Sequence, residues 1–102
     1  MTCGIYGMKH KSTLKWYVGA SKNIERRIKV HVHDFLTWPD GCKFSRDIKI
    51  YGLEIESYIL EECRPEEFHQ KEKEWVRAFN SKNDGYNQQD GGGHHRDWGR
   101  HG

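Results

Sequence analysis

Residues 3–19 read CGIYGMKHKSTLKWYVG, and the alternation of aromatic, branched and turn-forming residues within them decides the architecture. Two short runs, 3–9 and 15–19, suit strands, and the polar His10-Lys11-Ser12-Thr13 segment suits their connection. Folded about Lys11-Ser12, the hairpin sets Tyr6 opposite Tyr17, with both phenols on one face. Gly4 and Gly19 flank the tyrosines, where a strand glycine either permits close backbone approach or marks a strand end. Aromatic residues are ordinary strand formers. Any chemistry on this face therefore depends on what the rest of the chain brings to it.

Downstream, Ile24, Ile28, Val32 and Phe35 recur at helical spacing as a buried stripe, with Ser21 or Asn23 able to cap the helix. Trp38-Pro39-Asp40-Gly41 breaks the chain. Phe44, Ile48 and Tyr51 mark a second short helix, and Gly52 suits a left-handed cap after it. Residues 54–61 alternate, with Ile55, Ser57 and Ile59 on one side, as a third strand would. Pro65 fits the first turn of a third helix, and Glu66 and Glu67 favour the positive end of its dipole. That helix runs to about Phe79 on an apolar stripe of Phe68, Trp75, Val76 and Phe79. Because successive helical residues advance by about 100°, Glu72 falls between Phe68 and Val76 and faces inward. Asn83-Asp84-Gly85 makes a turn, after which Tyr86-Asn87 returns to the body.

These elements define an α+β protein, a small three-stranded antiparallel sheet flanked by three helices. Residues 1–90 are expected to form one domain and 91–102, GGGHHRDWGRHG, a flexible Gly/His-rich tail. A chain of 102 residues holds one modest core, so any function must sit on a single compact body. No stretch approaches the roughly 20 apolar residues of a membrane span, and the first residues lack the apolar centre of a secretory signal. Three cysteines, Cys3, Cys42 and Cys63, without close spacing suggest reduced thiols and no zinc framework. These features together point to an intracellular protein. A net charge of +2 conceals asymmetry: residues 1–51 carry ten Lys/Arg against four Asp/Glu, and residues 52–102 seven against eleven. Lys22, Arg26, Arg27 and Lys29 concentrate the basic half on one segment, as a phosphate-rich partner or a solvated helix face would favour.

An ionised carboxylate in an apolar stripe costs several kcal/mol unless something compensates. Glu72 therefore either pairs with a cation of the first helix or binds a hard divalent cation, which needs only one or two carboxylates beside water and phosphate oxygens. Arg27 and His31, four apart, share a helix face at the rim of the core. The guanidinium suits a phosphate, the imidazole a phosphate or a proton, and surface charge and satisfied ring are the plainer alternatives. Tyr6 and Tyr17 either pack or act on a proton, and a free phenol, with pKa about 10, needs nearby positive charge to be a base at neutral pH. Asn87 either orients a phosphate or closes a turn.

Gly4-Ile5-Tyr6, Tyr17-Val18-Gly19, Arg27 with His31, Glu72 three residues before Trp75, and Gly85-Tyr86-Asn87 together resemble the GIY-YIG nuclease family. The order and spacing are closest to the catalytic domains of phage group I intron homing endonucleases. The resemblance implies a DNA endonuclease that hydrolyses phosphodiester bonds with one divalent cation, Mg²⁺ or Mn²⁺. In it Glu72 matches the metal ligand, Arg27 the residue that stabilises charge on the phosphate, and Tyr6 the base for the attacking water, with Tyr17 assisting. His31 matches a further catalytic position. Asn87 matches a substrate-contacting position, and Lys22 and Arg26 of the basic segment join it in binding DNA. Homing members continue into a separate DNA-recognition module, so targeting here is expected to rest on a missing module or a partner. A binding accessory protein of the same fold without turnover is the alternative.

Overall fold

The computed structural model describes residues 1–87; the expected tail at 91–102 lies outside the described residues. Its centre is β1 (Gly4–His10), flanked antiparallel by β2 (Trp16–Ser21) and β3 (Ile55–Glu62) in the order β2-β1-β3. Being central, β1 is covered on both faces and is almost wholly buried. Met8 and Tyr6 face α1 (Ile24–Thr37) and α2 (Lys43–Tyr51), where Ile24, Phe35, Phe44 and Ile48 close over them. Ile5 and Val18 point the other way and meet Val76 of α3 (Phe68–Phe79), with Phe68, Trp75 and Phe79 around them.

The hairpin register differs from the one expected. Tyr6 stands opposite Gly19, and Tyr17 opposite Met8. The strand continues to His10, whose N–H reaches Lys15 O at 3.1 Å, and Leu14 turns the chain with φ +61°. The turn is thus centred later than Lys11-Ser12. A shift of two residues preserves the side-chain face, where a shift of one would reverse it. The tyrosines remain on the same face as diagonal neighbours, and the space facing Tyr6 is left to a glycine.

Pairing between β1 and β3 shifts between Ile5 and Tyr6, so that Leu60 is an extra, bulged residue. Leu60 packs with Ile5 and Val18, whereas Ile59 shares one side of β3 with Ile55 and Ser57, as expected, and is half exposed. Helix boundaries follow local chemistry. Asn23 Oδ1 accepts from Arg26 N–H at 3.1 Å and starts α1. Gly52, with φ +100°, ends α2, its N–H donating to Ile48 O at 2.8 Å. Pro65 opens a single 3-10 turn, Pro65–Glu67, that leads into α3. The segment after α3 returns as expected: Tyr86 stacks on Phe44 with centroids 4.1 Å apart, and its hydroxyl donates to Asp47 Oδ2 at 2.7 Å.

Candidate active site

Tyr6 projects from the middle of β1 across the backbone of Gly19, where an added β-carbon would lie 2.5 Å from the Tyr6 hydroxyl oxygen. Glycine at 19 is therefore the space into which the phenol fits. The hydroxyl meets His31 Nε2 of α1 at 2.7 Å. Tyr17 borders both rings, with centroids 6.3 Å from Tyr6 and 5.2 Å from His31. His31 also stacks on Phe35 at 5.6 Å. It is 1 % exposed, inside the core and not at the rim where the helical wheel placed it. The inward line of α1 runs through Ile24, His31 and Phe35, while Ile28 and Val32 pack only partly buried beside it. The Tyr6 hydroxyl partners its Nε2, which offsets part of the cost of burying a polar ring there.

Burial pushes the Tyr6 phenol well above the ordinary tyrosine range; Arg27 pulls it back in part, and the charge of Glu72 pushes it further up. Tyr17 is raised by burial first, then by Tyr6 and Glu72, again against Arg27. Arg27 and Glu72 are thus near enough for their charges to act on both phenols. The pull of Arg27 does not overcome burial. Both phenols keep their protons at neutral pH, so the hydroxyl of Tyr6 is able to donate to His31 Nε2.

Arg27 is half-buried and extends from this cluster to the surface. There it lines an open cavity of about 410 Å³ together with Ser21, Lys22, Asn23, Arg26 and Val30. Three of the six lining residues are cationic: Lys22 and Arg26, expected to bind DNA, share the groove with Arg27, whose charge also acts on Tyr6 and Tyr17. Glu72 is 1 % exposed on α3, which packs chiefly along β2. Among the described residues no three His, Cys, Asp or Glu side chains are grouped to hold a metal. One or two carboxylates beside water and phosphate oxygens suffice for a hard divalent cation, and Glu72 is the carboxylate on this face of α3 that is buried.

Asn87 is 6 % exposed and stands apart from the groove lining. Its Oδ1 accepts from Val18 N–H at 2.8 Å and from Ser81 Oγ at 2.7 Å, and its Nδ2 donates to Val18 O at 2.9 Å. The amide therefore pairs with the outer edge of β2 as a neighbouring strand would, and fixes the strand that carries Tyr17 and Gly19. Sequence reading did not single out Ser81, and placed Phe35 in the buried stripe without its stack on His31. Ser81 has no signal in a turn of polar residues, whereas Phe35 stands four after His31, the spacing of stacked side chains on a helix.

Residues 2–87 match the GIY-YIG catalytic domain family. The chain is 37 % identical over 93 residues to "Intron-associated endonuclease 1" of Enterobacteria phage T4, a match covering 85 % of this chain and 37 % of that protein. It thus spans little more than a third of that relative. Among solved structures it is similar to the catalytic domain of intron endonuclease I-TevI in a point-mutant form, with TM-score 0.81 and 33 % identity over 88 % of this chain and 96 % of that one. A second structure of that catalytic domain matches with TM-score 0.77 and 33 % identity, covering 83 % of this chain and 96 % of that one.

Proposed function

Since the chain belongs to the GIY-YIG family of endonuclease catalytic domains, we propose that it cuts DNA by hydrolysing phosphodiester bonds at the junction of the basic groove and the tyrosine cluster. The observation that carries this reading is Arg27, one guanidinium shared between the groove lined by Lys22 and Arg26 and the buried Tyr6–His31 pair. Lys22 and Arg26 hold the backbone by charge. Arg27 grips the scissile phosphate, and its contact strengthens as charge accumulates in the transition state.

The phenol of Tyr6 is protonated, so it cannot act as a phenolate. It acts instead as a relay: its oxygen takes the proton of the attacking water as its own proton passes to His31 Nε2 across the 2.7 Å contact. No phenolate accumulates, and the rise in the phenol's pKa ceases to be an obstacle. Tyr17 keeps the hydroxyl of Tyr6 in line by packing against both rings. Glu72 would hold a single divalent cation, Mg²⁺ or Mn²⁺, which when bound supplies Lewis-acid stabilisation to the phosphate. Sequence recognition is assigned to a separate module or partner, and the setting to the cytoplasm of a bacterial or phage-infected cell.

The test is incubation with supercoiled plasmid, with Mg²⁺ and with chelator, for the wild type and for Tyr6→Phe, His31→Ala and Arg27→Ala. Wild type should nick or linearise the plasmid only with metal, and each variant should lose turnover by about 100-fold or more while still retarding DNA. A wild-type chain that retards DNA and leaves it whole with metal would establish the binding accessory reading instead.

A further inference from the structure

We propose that Cys3 and Cys63 are a dithiol pair that closes reversibly into a disulfide, stapling the residue before β1 to the residue after β3. The last paired positions of these antiparallel strands are Gly4 and Glu62. One step further along the same register, Cys63 N–H donates to Cys3 O at 3.1 Å, so the two cysteines face each other. Facing residues on antiparallel strands have Cα atoms about 5.5 Å apart or closer, inside the range of about 4.4–6.8 Å that disulfides span. Side chains alternate, so both thiols leave the sheet on the side opposite to Gly4 and Glu62. That is the α3 side, where Cys63 packs with Ile5, Leu60 and Phe68. Both are half-buried free thiols within reach of a solvent-borne reagent, and each is close enough for the charge of Cys3 to act on Cys63. Cys42 packs on the other side of the sheet, against the cluster of Tyr6 and Phe44, and cannot substitute.

The oxidant required is a small-molecule disulfide such as oxidised glutathione. One cysteine thiolate attacks its sulfur and releases one glutathione thiolate. The other cysteine thiolate then attacks the protein sulfur of the mixed disulfide and releases the second. Two protein thiols are oxidised, two glutathione thiols are produced, and the cysteine protons pass to solvent. Burial, with the carboxylates of Glu67 and Glu61, pushes the Cys63 thiol up, which lowers its thiolate fraction at neutral pH and slows the exchange.

The staple sits at the supports of two helices. Immediately before Cys3, Thr2 O accepts from Ile24 N–H at 2.8 Å, and Thr2 N–H and Oγ1 donate to Glu25 at 2.8 and 2.6 Å, which anchors the first turn of α1. Immediately after Cys63, Arg64 and Pro65 lead into α3. Closing a loop of about 60 residues should therefore raise the melting temperature by roughly 10 °C or more.

The experiment treats the full chain with oxidised glutathione or with dithiothreitol and reads non-reducing peptide maps and thermal melting, neither of which depends on nuclease activity. The expected result is an intramolecular link between residues 3 and 63, formed equally in Cys42→Ser, with a higher melting temperature that dithiothreitol reverses. Cys63→Ser and Cys3→Ser, tested separately, should each melt identically under both treatments. Stable glutathione adducts without a 3–63 link, bonds to Cys42 or between chains, or a 3–63 link without a rise in melting temperature would overturn the proposal.

Discussion

Gly19→Ala puts the relation between the hairpin register and the chemistry to the test. The new β-carbon would lie 2.5 Å from the Tyr6 hydroxyl oxygen and 2.6 Å from its Cζ. Ordinary contact is about 3.5 Å, so the ring must move by about 1 Å. No left-handed backbone geometry is involved, since Gly52 is the glycine described with positive φ. The whole penalty is therefore steric. Overpacking of this kind costs about 1–3 kcal/mol, which in a domain of this size lowers the melting temperature by roughly 10 °C. The 2.7 Å contact between Tyr6 and His31 has no room for a 1 Å displacement unless His31 and its stack on Phe35 move too. Misplacement by that distance costs about 100-fold in rate. Circular-dichroism melts and single-turnover plasmid cleavage would read both effects, with DNA affinity unchanged because the groove is lined elsewhere. An alanine variant with wild-type melting and wild-type cleavage would refute the placement of Tyr6 over Gly19.

Asn87→Ala strips the Val18 N–H and C=O of their partners at a buried strand edge, and should destabilise by about 2–4 kcal/mol in urea unfolding; unchanged stability with weakened DNA binding would instead make Asn87 a phosphate ligand. Tyr6, Tyr17 and Tyr86 all have raised phenol pKa values. A group raised in the fold contributes fully below its unfolded value, so the melting temperature should be flat up to about pH 10 and fall above it as the unfolded phenols ionise. Tyr86→Phe should show a shallower fall. Glu72→Ala should abolish cleavage and also abolish any rise in melting temperature on adding Mg²⁺, and retention of the Mg²⁺ shift would remove Glu72 as the ligand. Lys22→Ala and Arg26→Ala should each reduce the slope of log affinity against log salt by about 1 while leaving single-turnover rates at saturating protein intact; unaltered slopes would place the DNA path elsewhere.

What the sequence made legible is what periodicity encodes. The strand at β1, Asn23 as one of two cap candidates, the break at Trp38-Pro39 and the inward turn of Glu72 all follow from spacing or turn chemistry, and all are present. Register was not legible, because hairpin register depends on turn geometry, and a non-glycine left-handed residue such as Leu14 carries no compositional mark. The bulge at Leu60 was hidden for the same reason: one inserted residue leaves an alternating strand looking alternating. His31 was misplaced because a wheel drawn through apolar residues excludes a histidine by construction. The facing of Cys3 and Cys63, sixty residues apart, was invisible until the strands paired.

The misplacement of His31 bears on how so small a domain can hold a reactive site. A core of this size has few positions to spare, and here the same residues fill it and carry the proposed proton relay: Tyr6 and His31 are each 1 % exposed. Burial raises the phenol, which would disable a phenolate base, yet it also strengthens every charge interaction among the phenols, Arg27 and Glu72. A relay through a hydrogen bond benefits from the second effect without suffering the first, since no charged phenol has to persist. The division of labour along α1 follows from this. Lys22 and Arg26 are exposed, as the proposed phosphate contact requires, and His31 lies in the interior, as the proposed relay requires, while Arg27 between them is half-buried. Substitutions at the first pair should therefore act on binding, those at His31 on turnover and stability together, and Arg27 is the one position on the helix where binding and turnover meet.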